Sequence, residues 1–339
     1  MSLKKVKNNI IDRFSDNILR LIGILIILII LTCIAKPEFF SASSFQSILS
    51  QLVVIGLLSL GNGICMISGG IDLSIVYIAN LCGIITGLYL KNSVVDNMPA
   101  GKEALCIFAA ILIALTIGAL CGALNGFLVS YLKIPAMLAT LGTFELFYGL
   151  GIVISNGSSI SDIPGSFSNF SNSMFLNFIP TPFIVFIVAS VILSYVMAKT
   201  KFGARIYLVG TNLKASNFAG IKSNQILIRT YMTSGVLAAI AGLISLSDLN
   251  SAKSNFGTSY TMQSILIAVL GGVDPNGGFG SIGGIVIAVF ILQILSSFLN
   301  MFPNVSNFYR DLIWGVALIA VLIMNYATAK KKIAKLNKT

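Results

Sequence analysis

Apolar residues in this chain come in long unbroken runs, not in the two-residue alternation of a half-buried strand. Residues 18–35, ILRLIGILIILIILTCIA, carry a single charge, Arg20, near one edge. About 20 apolar residues, each rising 1.5 Å, cross a hydrocarbon core of about 30 Å, so a run of this length predicts a transmembrane helix. Read this way, the chain predicts ten spans: 18–35, 48–68, 72–90, 104–130, 136–154, 180–198, 229–247, 262–272, 281–300 and 309–327. The eighth is short for a crossing, and its helix is expected to run on into flanking residues or to be broken. A transmembrane β-barrel would show alternating segments of about 10 residues, which are absent. The predicted fold class is all-α, a polytopic helical membrane protein.

Composition agrees with the pattern. Of 339 residues, 56% are hydrophobic and 10% charged, against about 25% charged in a soluble domain. The first apolar run is not a cleavable signal, because it is too long, lacks a small-x-small site and is followed by further spans. Lys and Arg then set the orientation. With the N-terminus in the cytoplasm, 17 of the 22 basic residues fall inside and 5 outside. This predicts a basic cytoplasmic segment at 1–17, one transmembrane domain over 18–327 and a basic cytoplasmic tail at 328–339. The net charge of +11 is then a topology signal held against anionic membrane lipid, and needs no nucleic acid.

Two connecting loops differ in character. Between 155 and 173, 13 residues are Ser, Asn or Gly, which reads as a flexible outer connector; a docking surface for an external partner is the alternative. The inner loop, 199–228, is long, basic and richer in apolar residues. Phe202 to Val209 predicts a short helix ended by Gly210. Asn212 can cap a second short helix, and Gly220 suits the position just past its end. Together they make a rigid knob, or else two helices lying on lipid headgroups.

No catalytic constellation appears. There is no His, which removes the commonest general base and the usual zinc ligand. The five cysteines sit inside apolar runs without C-x-x-C spacing and read as packing residues. No metal or cofactor site is expected in the chain. Gly278, Gly280 and Gly283 spell G-x-G-x-x-G, but both flanks are predicted spans and the next acid, Asp311, lies too far on for the ribose contact of a dinucleotide site. Asp274-Pro275 and Asn276-Gly277 mark this stretch as a tight turn, with Gly280, Gly283 and Gly284 letting the next span start close to its neighbours. Two acids lie in or beside spans, where ionisable groups point to function. Asp72, in SGGIDLS, suits a helix N-terminus as a cap. Glu145, inside LATLGTFELFYGL, is expected to face a polar cavity or a partner subunit. Asn62, Asn80 and Asn125 add polar groups within the spans, either lining a path or bonding helix to helix.

Several blocks taken together resemble the permease subunits of bacterial ATP-binding-cassette importers of the ribose, galactose and xylose type. They are SGGIDLSIVYIANLCGIITG (68–87), NGFLVSYLKIPAMLATLGTFELFYGL (125–150), TKFGARIYLVGTNLKASNFAGIKSNQILIRTYMTSGVLAAIAGLI (200–244) and LGGVDPNGGFGSIGGIVIAVFILQIL (270–295). They occur in family order. The resemblance implies a non-enzymatic permease of the vitamin-B12-importer-like (type II) architecture in the bacterial plasma membrane. It implies a second permease subunit, a cytoplasmic ATPase that binds the ATP, and an extracytoplasmic solute-binding protein. Phe202, Gly203, Gly210, Asn212, Ala215, Gly220 and Ile221 fall on the block that couples such permeases to their ATPase. The implied cargo is a sugar or sugar-like solute, with autoinducer-2 or a nucleoside as alternatives. Glu145 departs from the family, where the position is uncharged or small. An ion-coupled secondary transporter, a different class, would want an inverted repeat with acids in broken helices. The GG[IV]D echo at 69–72 and 271–274 is too short to supply one.

Overall fold

In a computed structural model, backbone is described for residues 3–36, 39, 41–95, 98–302, 312–316, 319 and 323, and side chains from residue 18 onward. The long helices are α1 (Leu3–Ala35), α2 (Ala42–Ile67), α3 (Ile75–Ser93), α4 (Ala100–Ser130), α5 (Ala136–Ser155), α7 (Thr181–Lys199), α10 (Ser223–Leu249) and α12 (Ile282–Asn300). These eight are long and apolar enough to cross a membrane. A shorter apolar helix, α11 (Tyr260–Leu270), stands where the short eighth span is predicted. The predicted span 309–327 lies largely outside the described residues, as does the tail at 328–339.

The core is built on α2, α3 and α10, whose apolar windows are mostly inside the protein, whereas that of α1 is 11% buried. Leu52, Leu57, Leu60, Ile64, Ile75, Ile78, Ala238 and Leu246 are fully enclosed. The tightest crossing is that of α4 on α10. A Cβ on Gly118 would strike the Gly235 carbonyl, one on Gly122 the Tyr231 carbonyl, and one on Gly126 the Ile228 backbone. Small residues here let two backbones meet, where the gain comes from van der Waals contact and not from removing apolar surface from water.

One end of the bundle carries the short helices α8 (Lys201–Thr211) and α9 (Leu213–Phe218) between α7 and α10. The turns linking α2 to α3 and α11 to α12 lie at this same end, since Gly278 N–H donates to Ile67 C=O at 2.8 Å. The opposite end carries α6 (Gly165–Asn172) and two short antiparallel pairings. β1 (Ile160–Ser161) pairs with β4 (Ser251–Ala252), and β2 (Met174–Phe175) pairs with β3 (Ile179–Pro180).

The 155–178 segment is thus more ordered than its composition predicts. Phe167 and Ile163 anchor it in the core. Ser247 Oγ donates to Phe167 C=O at 2.9 Å and accepts from Ser171 N–H at 3.1 Å. A polar composition cannot reveal two buried aromatic or aliphatic anchors holding a loop down.

Candidate functional site

The knob forms for local reasons. Thr200 caps α8, its hydroxyl accepting from Gly203 N–H at 3.2 Å. Gly203 is needed because a Cβ there would strike the Met197 and Val196 carbonyls. Asn212 caps α9, with Oδ1 accepting from Ala215 N–H at 2.9 Å. Gly220 follows at φ +79°, and Ile221 N–H donates to Ser216 C=O at 3.0 Å, closing the helix end. Phe202 and Ile221 pack against the main core. α8 does not stop at Gly210, as the sequence predicts, but runs on to Thr211. Gly210 acts as a wedge point instead, with no room for a Cβ beside the Ile67 carbonyl and Gly278 N.

This wedge ties the knob to two interior turns at once. Tyr207, which sequence reasoning did not single out, adds a donor from the α8 side. Its hydroxyl donates to Gly280 C=O at 2.8 Å, and burial pushes the phenol up to about 12, so it stays a donor at physiological pH. The knob also presents apolar side chains outward. Phe218 is 93% exposed, and Leu208 and Leu213 are exposed beside it.

Interior to this end lies a polar hub. Asp72 does not cap α3, whose cap position is Ser74. It sits fully enclosed between helices, because it precedes the helix by enough residues to point into the bundle. Its Oδ1 accepts from Ser74 N–H at 3.1 Å, Ser74 Oγ at 2.7 Å and Asn125 Nδ2 at 3.4 Å. Oδ2 accepts from Ser234 Oγ at 3.2 Å. Asn125 Oδ1 accepts from Thr143 Oγ1 at 2.6 Å. Asn62 accepts from Asp72 N–H at 3.2 Å and donates to Ser264 Oγ at 3.1 Å. The network around Asp72 therefore joins α2, α3, α4, α5, α10 and α11. The hub brings together Asn62, Asp72 and Asn125, and adds Ser74, Thr143, Ser234 and Ser264, which the sequence hides among many other small polar residues.

Asn80 and Glu145 stand apart from the hub. Asn80 Nδ2 donates to Ser254 C=O at 2.8 Å and Phe256 C=O at 2.9 Å. It lines a cavity of about 250 Å³ with Val54, Lys253 and Tyr260, between α2, α3 and α10. Glu145, midway along α5, is exposed.

The turn carrying G-x-G-x-x-G is not preceded by a strand; α11 precedes it and α12 follows. Gly277 and Gly278 take φ +89° and +78°. Gly280 is pressed against Ile67 and Val273, and Gly284 against the Gly271 carbonyl, whereas a Cβ on Gly283 would meet nothing. Gly283 is thus not a close-approach residue, contrary to the sequence expectation; the helical turn of α12 carries it away from its neighbours.

Residues 44–322 match the family described as branched-chain amino acid transport system / permease component. The autoinducer 2 import system permease protein LsrC of Photorhabdus luminescens is 31% identical over 323 residues, covering 95% of this chain and 92% of the relative. LsrC of Yersinia pestis (strain Pestoides F) is 30% identical over 292 residues, 86% of this chain and 80% of its own. No solved structure matches the chain. On a family match across most of its length and relatives aligned nearly end to end, the chain belongs to the branched-chain amino acid transport system / permease component family.

Proposed function

We propose that this chain is the membrane subunit of an ATP-binding-cassette importer carrying a sugar-like solute, with autoinducer-2 the first to test. The observation that supports it most is likeness to the autoinducer-2 permeases over 95% of the chain. The substrate named for those relatives is a small hydroxylated molecule, in keeping with the resemblance to sugar permeases. On this reading the chain has no ATPase site of its own. It pairs with a second permease subunit and takes cargo from a binding protein at the α6 end.

The knob is the ATPase contact in this reading. Phe218, Leu208 and Leu213 form an apolar tip, and Lys201, Arg205, Lys214 and Lys222 make its surroundings basic. A tip of this kind seats in a groove of a partner, where one buried aromatic anchor carries much of the affinity. Movement of the knob reaches the pathway helices through Gly210, Ile67 and the 277–280 turn. Transport then requires only two alternative helix packings, selected by the state of the ATPase. By the charge balance of the loops, both termini are assigned to the cytoplasm on this reading.

The test is an uptake panel in cells devoid of their own systems, expressing this permease with its ATPase and binding protein. Autoinducer-2 and D-ribose are offered beside leucine, the solute class in the family description. Uptake of autoinducer-2 or ribose, lost when the ATPase is omitted, is the expected result. Uptake of leucine alone overturns the substrate class.

A further inference from the structure

α5 packs against α3 and α4 along one side, and among the described residues much of its other side is exposed. At 3.6 residues per turn, Gly142, Glu145 and Gly149 form one stripe on this side, flanked by the exposed Leu138, Leu141, Leu146 and Val153. A Cβ on Gly142 or Gly149 would meet nothing within 4 Å. Glu145 stands midway along the 20-residue helix. Among the described residues it forms no ion pair and no hydrogen bond. A carboxylate midway along a membrane-spanning helix is disfavoured against lipid and calls for a polar neighbour.

Beside the stripe lies an aromatic ledge. Tyr77 of α3 packs on Phe144, with ring centroids 4.1 Å apart, and meets Tyr148 edge-on at 5.6 Å. Phe144 and Tyr148 run near-parallel at 6.4 Å. Glu145 and Tyr148 lie three residues apart, neighbours on the surface of α5, and the buried Tyr77 meets Tyr148 from α3. Neither phenol has a hydrogen-bond partner among the described residues. A carboxylate and two free phenols are therefore gathered at one edge of a ring surface.

This set has a definite chemistry. The carboxylate accepts strong, charge-assisted hydrogen bonds from two neighbouring hydroxyls. Each phenol can donate one bond and accept another. The ring faces cover the C–H side of a compact solute. The same charge repels an anion. We propose that Glu145, Tyr148 and Tyr77 form a subsite on the α5 wall of the transport path. It takes an uncharged solute with adjacent hydroxyls, and Glu145 turns away phosphorylated analogues. The proposal rests on the permease reading above, and its test separates the two.

The assembled transporter is placed in proteoliposomes, its native cysteines replaced by serine. Gly142→Cys, Glu145→Cys and Gly149→Cys are exposed to a charged, membrane-impermeant thiol reagent, beside Val191→Cys on α7 and Leu120→Cys on α4 as exposed apolar controls. Labelling of the three α5 positions but not the controls is expected, and excess D-ribose or autoinducer-2 slows it at position 145. An unlabelled Glu145→Cys overturns the placement. Uptake of the same two solutes is then measured in Glu145→Gln, which is expected to fall about tenfold, the loss of one hydrogen bond to a charged group. Glu145→Asp recovers part of it. Co-purification of the ATPase shows that each variant is folded. Wild-type uptake by Glu145→Gln overturns the proposal, as does uptake of choline in place of both hydroxylated solutes. If the unaltered transporter carries neither solute with ATP, the permease reading fails, and labelling alone decides the subsite.

Discussion

Tyr231 and Tyr207 carry the same hydroxyl into opposite circumstances. Tyr231 is fully buried beside Gly70, and its hydroxyl has no partner among the described residues. Removing an unsatisfied buried hydroxyl relieves its desolvation, so Tyr231→Phe is expected to raise stability by about 1 kcal/mol. Tyr207→Phe removes a made bond and strands Gly280 C=O, and is expected to lower it by about 1 kcal/mol. Thermal unfolding of the two variants in detergent checks the opposite signs. The Tyr207 phenol also gives a pH dependence. Its folded value is raised from 10.0 to about 12 by burial, so its contribution is whole below 10 and fades as pH rises toward about 12. Unfolding scans across that window should show the loss in the wild type and not in Tyr207→Phe. Asp72→Ala leaves Ser74 N–H and Ser234 Oγ without their acceptor, while Asn125 keeps its bond to Ser74 Oγ, and is expected to cost about 1–3 kcal/mol for each stranded group. Asp72→Asn costs less, because one oxygen still serves three donors while Ser234 Oγ turns to accept from the new amide. At this scale the sequence showed that Asp72 and the asparagines matter. It did not show that three of them share one hub, because the meeting of six helices in one polar network is a property of packing.

Among the elements, the α4–α10 crossing and the start of α12 allow a paired test of where glycine is required. Gly122→Ala places a methyl group against the Tyr231 carbonyl, and Gly283→Ala places one in open space. The first is expected to destabilise by about 1–3 kcal/mol through overpacking. The second is expected to be neutral or slightly stabilising, since Ala favours the helix more than Gly, by less in this first turn than the roughly 1 kcal/mol of a helix interior. Detergent melting curves read both. Helix existence was legible, because apolar runs must be helical in a membrane. Helix ends were less so: α4 begins at Ala100 and α10 at Ser223, several residues before the apolar runs at 104 and 229, because polar turns outside hydrocarbon continue a helix at little cost. The caps at Asn212 and Gly220 were legible from residue type alone. The anchoring of 155–178 was not, since it depends on Phe167 meeting α10.

The whole molecule joins an apolar-tipped knob at one end to helices that bear a carboxylate at mid-depth. Its family was legible from blocks in order. The packing of Tyr77 on Phe144 was not, as the two lie 67 positions apart in the sequence. Phe218→Asp places a charge on the exposed tip without touching the core, so folding should persist while ATPase docking weakens by about tenfold or more, the loss expected at an interface anchor. The most direct test of the account is solute accumulation by proteoliposomes holding the permease, its ATPase and its binding protein. Autoinducer-2 or D-ribose should accumulate only when ATP is present on the ATPase side, and Phe218→Asp should reduce it. Accumulation that persists without the ATPase and collapses with an ionophore would contradict the account.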